Sequence, residues 1–407
     1  MKRYDLIVVG AGPAGLSAAI QAAKYGVHVA VFDENAAPGG QLFKQIHKFF
    51  GSKEHHAKIR GFNIGKELLE EAEAAGVTVH LNSVVMGLYG NKEILVNSNG
   101  ETAHYKGDAI IVAAGAMENM IPFDGWTLPG VMGAGAAQTL MNLHGVQPGQ
   151  RVLMVGSGNV GLVVGYQLMQ AGVKLEAIID AAPRVGGYGV HAAKVARMGV
   201  PFYLSHTVVK AEGTDHVTGA VIAQVDNHFQ PIPGTEKHFD VDTVCMAVGL
   251  SPMSQLTSMI KCRMTDRGGT LPVVDGHGET SIRGIYSAGD AAGIEEASSA
   301  MINGRIAGTA AARRTGLSGR GSLGRGDYPS ARVAPAAPRG YVQPSQQGPH
   351  GSDGDGRGHR ALPNPAQKGL CGGRRDRALP RRDAPRWCPS RDRVHAEHPL
   401  QPLSGCL

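Results

Sequence analysis

The chain has 407 residues, of which 42% are hydrophobic and 18% charged, and this length accommodates two or three domains with cores of their own. No stretch reaches the roughly 18 consecutive apolar residues of a membrane helix, and the N-terminus leads into a predicted strand without a signal sequence, so we expect a cytoplasmic protein without a membrane span. The formal net charge is +6, but much of the excess arginine lies beyond Leu317, so the charge of the body is no argument for a nucleic-acid partner.

The first predicted unit is a strand, a glycine-rich turn, a helix and a second strand. Residues 4–9 form an apolar run that ends in Gly-x-Gly-x-x-Gly, and a strand over 27–32 leads to two acidic residues. This pattern is typical of a dinucleotide site: the glycines allow a tight turn and close approach of a pyrophosphate, the helix N-terminus faces the phosphate charge, and the acid accepts from a ribose hydroxyl. The predicted contacts are Gly10, Gly12, Pro13, Ala14, Gly15, Asp33 and Glu34.

The next predicted elements complete a first fold. The turn Pro38-Gly39-Gly40-Gln41 permits close backbone approach to a ligand, and a basic, histidine-rich segment over 43–60 is predicted to be a solvated loop. A helix over 61–75 and a strand over 77–81 precede three short strands, at 84–88, 93–97 and 102–106, which we predict to form a β-meander. A buried strand then ends at Ala113-Ala114-Gly115.

The same order of elements then occurs a second time. A strand over 151–155 leads into a second glycine turn, a helix ends at Gly172, and a strand over 175–179 leads to an acid. The predicted contacts here are Gly156, Gly158, Asn159, Val160, Gly161 and Asp180. Asp180 at the position of a ribose 2′-hydroxyl favours NAD, whereas the nearby Arg184 leaves NADP open. A last strand ends in Gly289-Asp290, where the carboxylate can accept from a polyol, before a small-residue helix over 296–313.

In this order, the two glycine turns, Gly39-Gly40-Gln41, Ala113-Ala114-Gly115 and Gly289-Asp290 resemble the two-dinucleotide-fold flavoprotein reductases over residues 4–314. The resemblance implies FAD on the first fold and NAD(P) on the second, and it adds Gly39, Gly40, Gln41, Val84, Ala114, Gly115, Gly289 and Asp290 as FAD contacts. It implies an α/β protein of two three-layer Rossmann-like domains, each with a parallel sheet and a β-meander, the second inserted in the first. The expected boundaries are 1–116 and 250–315 for the FAD domain and 117–249 for the NAD(P) domain.

The stretches 117–135 and 297–311 are similar to the FAD-containing α-type subunits of opine oxidases, hydrogen cyanide synthase, dye-linked proline dehydrogenases and sarcosine oxidase. None of the five cysteines forms the Cys-x-x-Cys of a dithiol reductase, and their spacings suit neither zinc nor an iron–sulfur cluster, so we expect no metal. The resemblance implies a second flavoprotein subunit that carries the substrate site.

From residue 316 the composition changes, with no isoleucine, phenylalanine or methionine to the end of the chain. We predict a disordered tail over 316–407, because such a segment buries too little apolar surface to offset its ordering entropy. A basic nucleic-acid arm and an out-of-frame product are the two interpretations, of which the second is favoured because aspartates interrupt the arginines and the family likeness ends at the same point.

Three functional hypotheses follow. The chain is an FAD subunit of an amine or amino-acid dehydrogenase, a free-standing NAD(P)H:acceptor reductase, or a non-catalytic FAD-binding scaffold or a product inactivated by its tail. No acid–base catalyst is predicted, because the flavin would carry the hydride chemistry.

Overall fold

A computed structural model of the chain describes residues 1–49, 52–267 and 269–315. All of them lie in one compact unit. The predicted disordered tail, 316–407, lies outside the described residues. Within the described residues, no helix is both long and apolar enough to span a membrane.

The elements before the second fold are β1 (Lys2–Val9), α1 (Pro13–Ala23), β2 (Val29–Phe32), α2 (Gly61–Ala74), β3 (Thr78–His80), β4 (Ser83–Tyr89), β5 (Glu93–Ser98) and β6 (Glu101–Val112). A 3₁₀ turn over Gly40–Lys44 and another over Lys53–His55 lie between β2 and α2.

The next elements are β7 (Ala116–Glu118), β8 (Val131–Gly133), α3 (Ala134–His144), β9 (Arg151–Val155), α4 (Asn159–Gln170), β10 (Lys174–Asp180), α5 (Gly189–Arg197), β11 (Phe202–Leu204), β12 (His206–Glu212), β13 (Gly219–Gln224), β14 (Lys237–Phe239) and β15 (Thr243–Met246). The chain then forms β16 (Leu250–Pro252), α6 (Gln255–Met259), β17 (Met264–Asp266), β18 (Thr270–Pro272), β19 (Ile285–Ser287), the 3₁₀ turn Gly289–Ala292 and α7 (Ala297–Arg314).

The first fold is built on a sheet in the order β3-β2-β1-β6-β5-β4, to which β19 adds by pairing with β6. Strands β1, β2, β3, β6 and β19 run parallel, and the apolar residues of β1 are buried because the sheet is covered on both faces. The strand β19 returns to this sheet after the whole second fold has been traversed. The predicted insertion of one fold into the other is therefore confirmed.

The meander differs from its prediction in one respect. The third meander strand and the following buried strand are a single strand, β6, which pairs antiparallel with β5 over its first half, Glu101–Lys106, and parallel with β1 from Tyr105 to Val112. Gly107 lies where the two halves meet, and a Cβ atom there would lie 2.6 Å from the carbonyl oxygen of Ala109. The sequence suggested two strands because the polarity changes there from exposed to buried residues.

The second fold has its own parallel sheet, in the order β11-β10-β9-β15-β8, and a separate antiparallel sheet of β12, β13 and β14. Its core contains α3, α4 and α5 against one face of the parallel sheet. The first fold instead packs α7 tightly on α1, because Gly304 and Gly308 face the backbone of Ala14 and Ala18 without side chains between them. The two folds share one feature. In each, a central strand (β1 or β9) ends in a glycine turn that leads directly into the N-terminus of a helix (α1 or α4).

Candidate functional site

The two glycine turns have the same construction. Gly10 and Gly156 adopt φ values of +103° and +109°, and a Cβ atom at either position would overlap the carbonyl oxygen of Ala113 or Ala247. These two alanines begin the small-residue turns that end β6 and β15, so each glycine turn packs against the neighbouring strand end. The structure thus brings Gly10 together with Ala114, and Gly156 with the equivalent turn of the second fold.

The middle glycines, Gly12 and Gly158, are different from the first. Both have ordinary extended backbone angles, with φ values of −76° and −68°. A Cβ atom on Gly158 would meet nothing within 4 Å, and one on Gly12 would meet only the Cα of Gly40, at 4.0 Å. Each glycine therefore leaves an open space directly before a helix N-terminus, where backbone N–H groups have no partner within the helix.

The acids after the second strand of each fold make matching contacts. The Asp33 carboxylate accepts from the backbone N–H of Ala11 at 2.5 Å and from that of Asn35 at 2.8 Å. The Asp180 carboxylate accepts from the backbone N–H of Ser157 at 2.7 Å and from that of Ala182 at 2.9 Å. Both acids hold their glycine turns in place, a role that the sequence did not predict.

The other predicted acid after β2 is Glu34. Its side chain is exposed, whereas Asp33 is buried. Of these two acids, Glu34 is therefore the one that presents its carboxylate to solvent. Val84 follows Ser83, whose backbone N–H donates to the carbonyl of Asp33 at 2.7 Å, so the structure places Val84 beside this acid. Val84 is 41% exposed and Gln41 is also exposed.

A second Gly-Gly pair closes over the second glycine turn, and the sequence analysis missed it. The backbone N–H of Gly39 donates to the carbonyl of Ala11 at 2.8 Å, and that of Gly187 donates to the carbonyl of Ser157 at 2.9 Å. The pair Gly186-Gly187 therefore has the role that Gly39-Gly40 has in the first fold. Its position was the available signal, since Gly187 lies seven residues after Asp180 and Gly39 lies six after Asp33.

The first turns of α1 and α4 make different contacts. Pro13 and Ala14 begin α1. Gly304 of α7 packs on the backbone of Ala14, and Gly15 packs against the carbonyl of Gly10. In α4, Gly161 repeats Gly15, but Val160 is 44% exposed. The Asn159 side-chain oxygen accepts from the backbone N–H of Tyr188 at 2.8 Å, so this side chain holds the closing segment.

Asp290 lies in the 3₁₀ turn that follows β19. Gly289 packs against Ala14 of the first glycine turn, which brings this turn to the same site. The Asp290 carboxylate accepts from the backbone N–H of Glu295 at 3.1 Å, and burial raises the pKa of this side chain despite that hydrogen bond. A partly buried carboxylate that accepts only one hydrogen bond from the described residues retains acceptor capacity for a ligand hydroxyl.

Side chains from the histidine-rich segment contact the second fold. The Lys44 ammonium donates to the carbonyl of Gly135 at 3.3 Å, and its own carbonyl accepts from the side chain of Asn142 at 2.7 Å. Burial lowers the pKa of Lys44, which the Glu118 carboxylate partly opposes. The prediction of a solvated loop is therefore wrong at Lys44, because α3 covers the segment there. These contacts join residues 91 and 98 positions apart and left no local signal.

The cysteines of the described residues are Cys245 and Cys262, both buried. Burial raises the pKa of the Cys245 thiol far above its usual range, so this thiol is not a reactive thiolate. Among the described residues, no group of three His, Cys, Asp or Glu side chains could hold a metal ion.

Two parallel sheets, each with a glycine turn that leaves space before a helix N-terminus, define a two-dinucleotide-fold oxidoreductase. A family model described as pyridine nucleotide-disulphide oxidoreductase matches residues 4–316. The chain belongs to this family, whose members in general bind FAD and NAD(P). The resemblance inferred from residues 4–314 is confirmed.

Individual proteins show the same relationship. One opine oxidase subunit, from Rhizobium meliloti, is 30% identical over 336 residues, which are 77% of this chain and 63% of that protein. Hydrogen cyanide synthase subunit HcnB of Pseudomonas aeruginosa is 28% identical over 74% of this chain and 69% of that protein. The crystal structure of T. acidophilum thioredoxin reductase superposes with a TM-score of 0.63 at 22% identity, over 77% of this chain and 99% of that one, a likeness of fold. The chain thus spans less than two thirds of the opine oxidase relative.

Proposed function

We propose that this chain is the FAD- and NAD(P)-binding subunit of a multi-subunit amino-acid or amine dehydrogenase. The observation that carries the cofactor part is the open space at Gly12 and Gly158. Neither glycine is required by its backbone angles, and neither is required by a close protein neighbour. A side chain at either position would therefore occupy space that is left for a bound ligand.

The residues of the first fold fit FAD. The N-terminus of α1 offers backbone N–H groups to a pyrophosphate, the exposed Glu34 accepts from a ribose hydroxyl, and Asp290 accepts from a hydroxyl of the ribityl chain. Bound FAD supplies hydride acceptance, and the protein binds and orients it. The second fold would hold NAD(P) by the N-terminus of α4, with Asp180 fixing the turn.

The subunit part of the proposal is supported by the relatives. The opine oxidase relative from Rhizobium meliloti and the hydrogen cyanide synthase relative from Pseudomonas aeruginosa are both named as subunits. The predicted partner is a second flavoprotein chain that carries the amine or amino-acid site. A free-standing NAD(P)H:acceptor reductase is the second candidate, and the intact glycine turn of the second fold favours it.

The experiment is anaerobic titration of the purified chain with NADH and with NADPH while the flavin absorbance is followed. Bound flavin that neither nucleotide reduces supports the dehydrogenase subunit, which then requires its partner and amine substrate. Rapid bleaching by NADH or NADPH supports the free-standing reductase instead. A folded chain without any flavin would contradict both and leave the hypothesis of a product inactivated by its tail.

Three glycine variants assign the cofactors to the folds. We expect Gly12→Ala to fold normally and to weaken FAD binding by about tenfold or more, since steric overlap costs roughly 1–3 kcal/mol. Gly158→Ala should retain FAD and lose affinity for NAD(P). Gly15→Ala is the matched control for folding, because its Cβ would overlap the backbone of Gly10 and destabilise the chain itself. Equal FAD affinity in Gly12→Ala and the wild type would contradict the assignment of the first fold.

A further inference from the structure

Tyr188 connects the second glycine turn to the first fold. Its backbone N–H donates to the Asn159 side chain at 2.8 Å, in the first turn of α4. Its hydroxyl donates to the Glu296 carboxylate at 2.5 Å, across 108 residues of sequence. Gly187, immediately before it, donates to the carbonyl of Ser157. One residue therefore holds the segment that closes over the second glycine turn and also contacts the other fold.

Glu296 stands at the start of the helix that follows the FAD-side acid. It is the N-cap residue of α7, and the preceding residue, Glu295, donates its backbone N–H to Asp290 at 3.1 Å. Hydrogen bonds thus connect Asn159 to Tyr188 and Tyr188 to Glu296. The peptide bond to Glu295 then continues the path to Asp290. A hydrogen bond to a carboxylate is among the stronger ones a surface can form.

Resting on the proposed function, we propose that Tyr188 is a positioning residue that couples nucleotide binding at the second fold to FAD binding at the first. A nucleotide at the N-terminus of α4 contacts the turn that Asn159 and Tyr188 close. Ordering of this segment fixes the Tyr188 hydroxyl on Glu296, and Glu296 fixes the start of α7 beside Asp290. Each cofactor then binds a chain in which the path to the other is already ordered, and the coupling is reciprocal.

The test uses ADP-ribose, which lacks the nicotinamide ring and therefore cannot contact the flavin as a substrate would. The measured quantity is the ratio of FAD dissociation constants of the full chain without and with saturating ADP-ribose. We expect a ratio of about five or more for the wild type, the lower end of ordinary coupling between sites. Tyr188→Phe and Glu296→Ala should each bring the ratio close to one, and the double variant should do no more than either.

Two further variants separate this role from a general structural one. Glu296→Gln keeps an acceptor oxygen for the Tyr188 hydroxyl and should keep most of the coupling. Tyr89→Phe removes the hydroxyl of a tyrosine that is as exposed as Tyr188, 43% against 44%, and should leave the ratio unchanged. A wild-type ratio of one with both ligands bound, or an unchanged ratio in Tyr188→Phe, would overturn the proposal.

Amide hydrogen exchange tests the path without any nucleotide. In Tyr188→Phe, we expect faster exchange at the amides of Gly187, Tyr188 and Glu295, and no change in β1. Unchanged exchange at all three amides overturns the proposal. Absence of FAD or ADP-ribose binding in the wild type would instead count against the proposed function, so the two failures are distinguishable.

Discussion

Asp290 is the residue of the proposed FAD site whose pKa the fold raises. Burial raises its pKa, so the ionised carboxylate is a cost to the folded chain, absent below the unfolded pKa and complete above the folded one. We predict that Asp290→Asn raises the thermal midpoint of the cofactor-free chain at neutral pH, and that this gain disappears as the pH falls below the ordinary range of an aspartate. Differential scanning fluorimetry across pH measures it.

The same variant should bind FAD more weakly. A neutral amide oxygen is a poorer acceptor than a carboxylate by about 1 kcal/mol, which corresponds to about fivefold in affinity. Asp226→Asn, an identical change in an exposed turn of the second fold, is the control and should leave FAD affinity unchanged. A variant with lower stability and unchanged FAD affinity would contradict both expectations.

At the scale of elements, the contact of α7 with α1 depends on two glycines four residues apart. A Cβ atom at Gly304 would overlap the carbonyl oxygen of Ala14. We predict that Gly304→Ala destabilises the first fold by about 1–3 kcal/mol, despite the gain of about 1 kcal/mol in helix propensity, because the helices must separate. Thermal unfolding with FAD release as the readout measures this.

Gly189→Ala is the matched control for Gly304→Ala. Gly189 begins α5, and a Cβ atom there would meet nothing within 4 Å. The propensity gain is then not opposed, so this variant should be neutral or slightly stabilised. Destabilisation of both variants by the same amount would show that the packing of α7 is not the cause.

The start of α3 depends on a carboxylate from β7. Glu118 accepts from the backbone N–H of Gly135 at 2.6 Å. We predict that Glu118→Ala speeds amide exchange at Gly135 and costs about 1 kcal/mol, the usual value of a capping side chain. Glu118→Gln keeps the acceptor and should show a smaller effect. Equal exchange in Glu118→Ala and the wild type would contradict this role.

At the scale of the whole molecule, the sequence predicted both glycine turns and the order of elements, because these depend on local periodicity and on glycine at fixed spacing. It did not predict what Asp33 and Asp180 contact, since the direction of a side chain depends on the closed turn. The contacts of Lys44 with α3, and of Tyr188 with Glu296, join distant residues and have no local pattern. The cytoplasmic location, domain boundaries and partner chain stay predictions.

The chain enters and leaves the second fold side by side. β7 pairs antiparallel with β16, so that Glu118 lies opposite Leu250 and Ala116 opposite Pro252. The backbone N–H of Asn119 also donates to the carbonyl of Gly249 at 3.0 Å. The two crossings form one short ribbon, so a shortened chain could cross between them without rearranging the first fold.

Because its two ends lie side by side, the second fold can be deleted as a unit. Replacing residues 119–249 by Asn-Gly would join β7 to β16 as an ordinary hairpin, with a loop-closure cost far below that of the 131-residue segment it replaces. We predict that this chain retains flavin and no longer binds ADP-ribose, as measured by absorbance and calorimetry. A colourless, folded product would show that the first fold needs the second fold to retain flavin. Retained flavin would make the second fold an exchangeable module, open to replacement by another domain whose ends lie equally close.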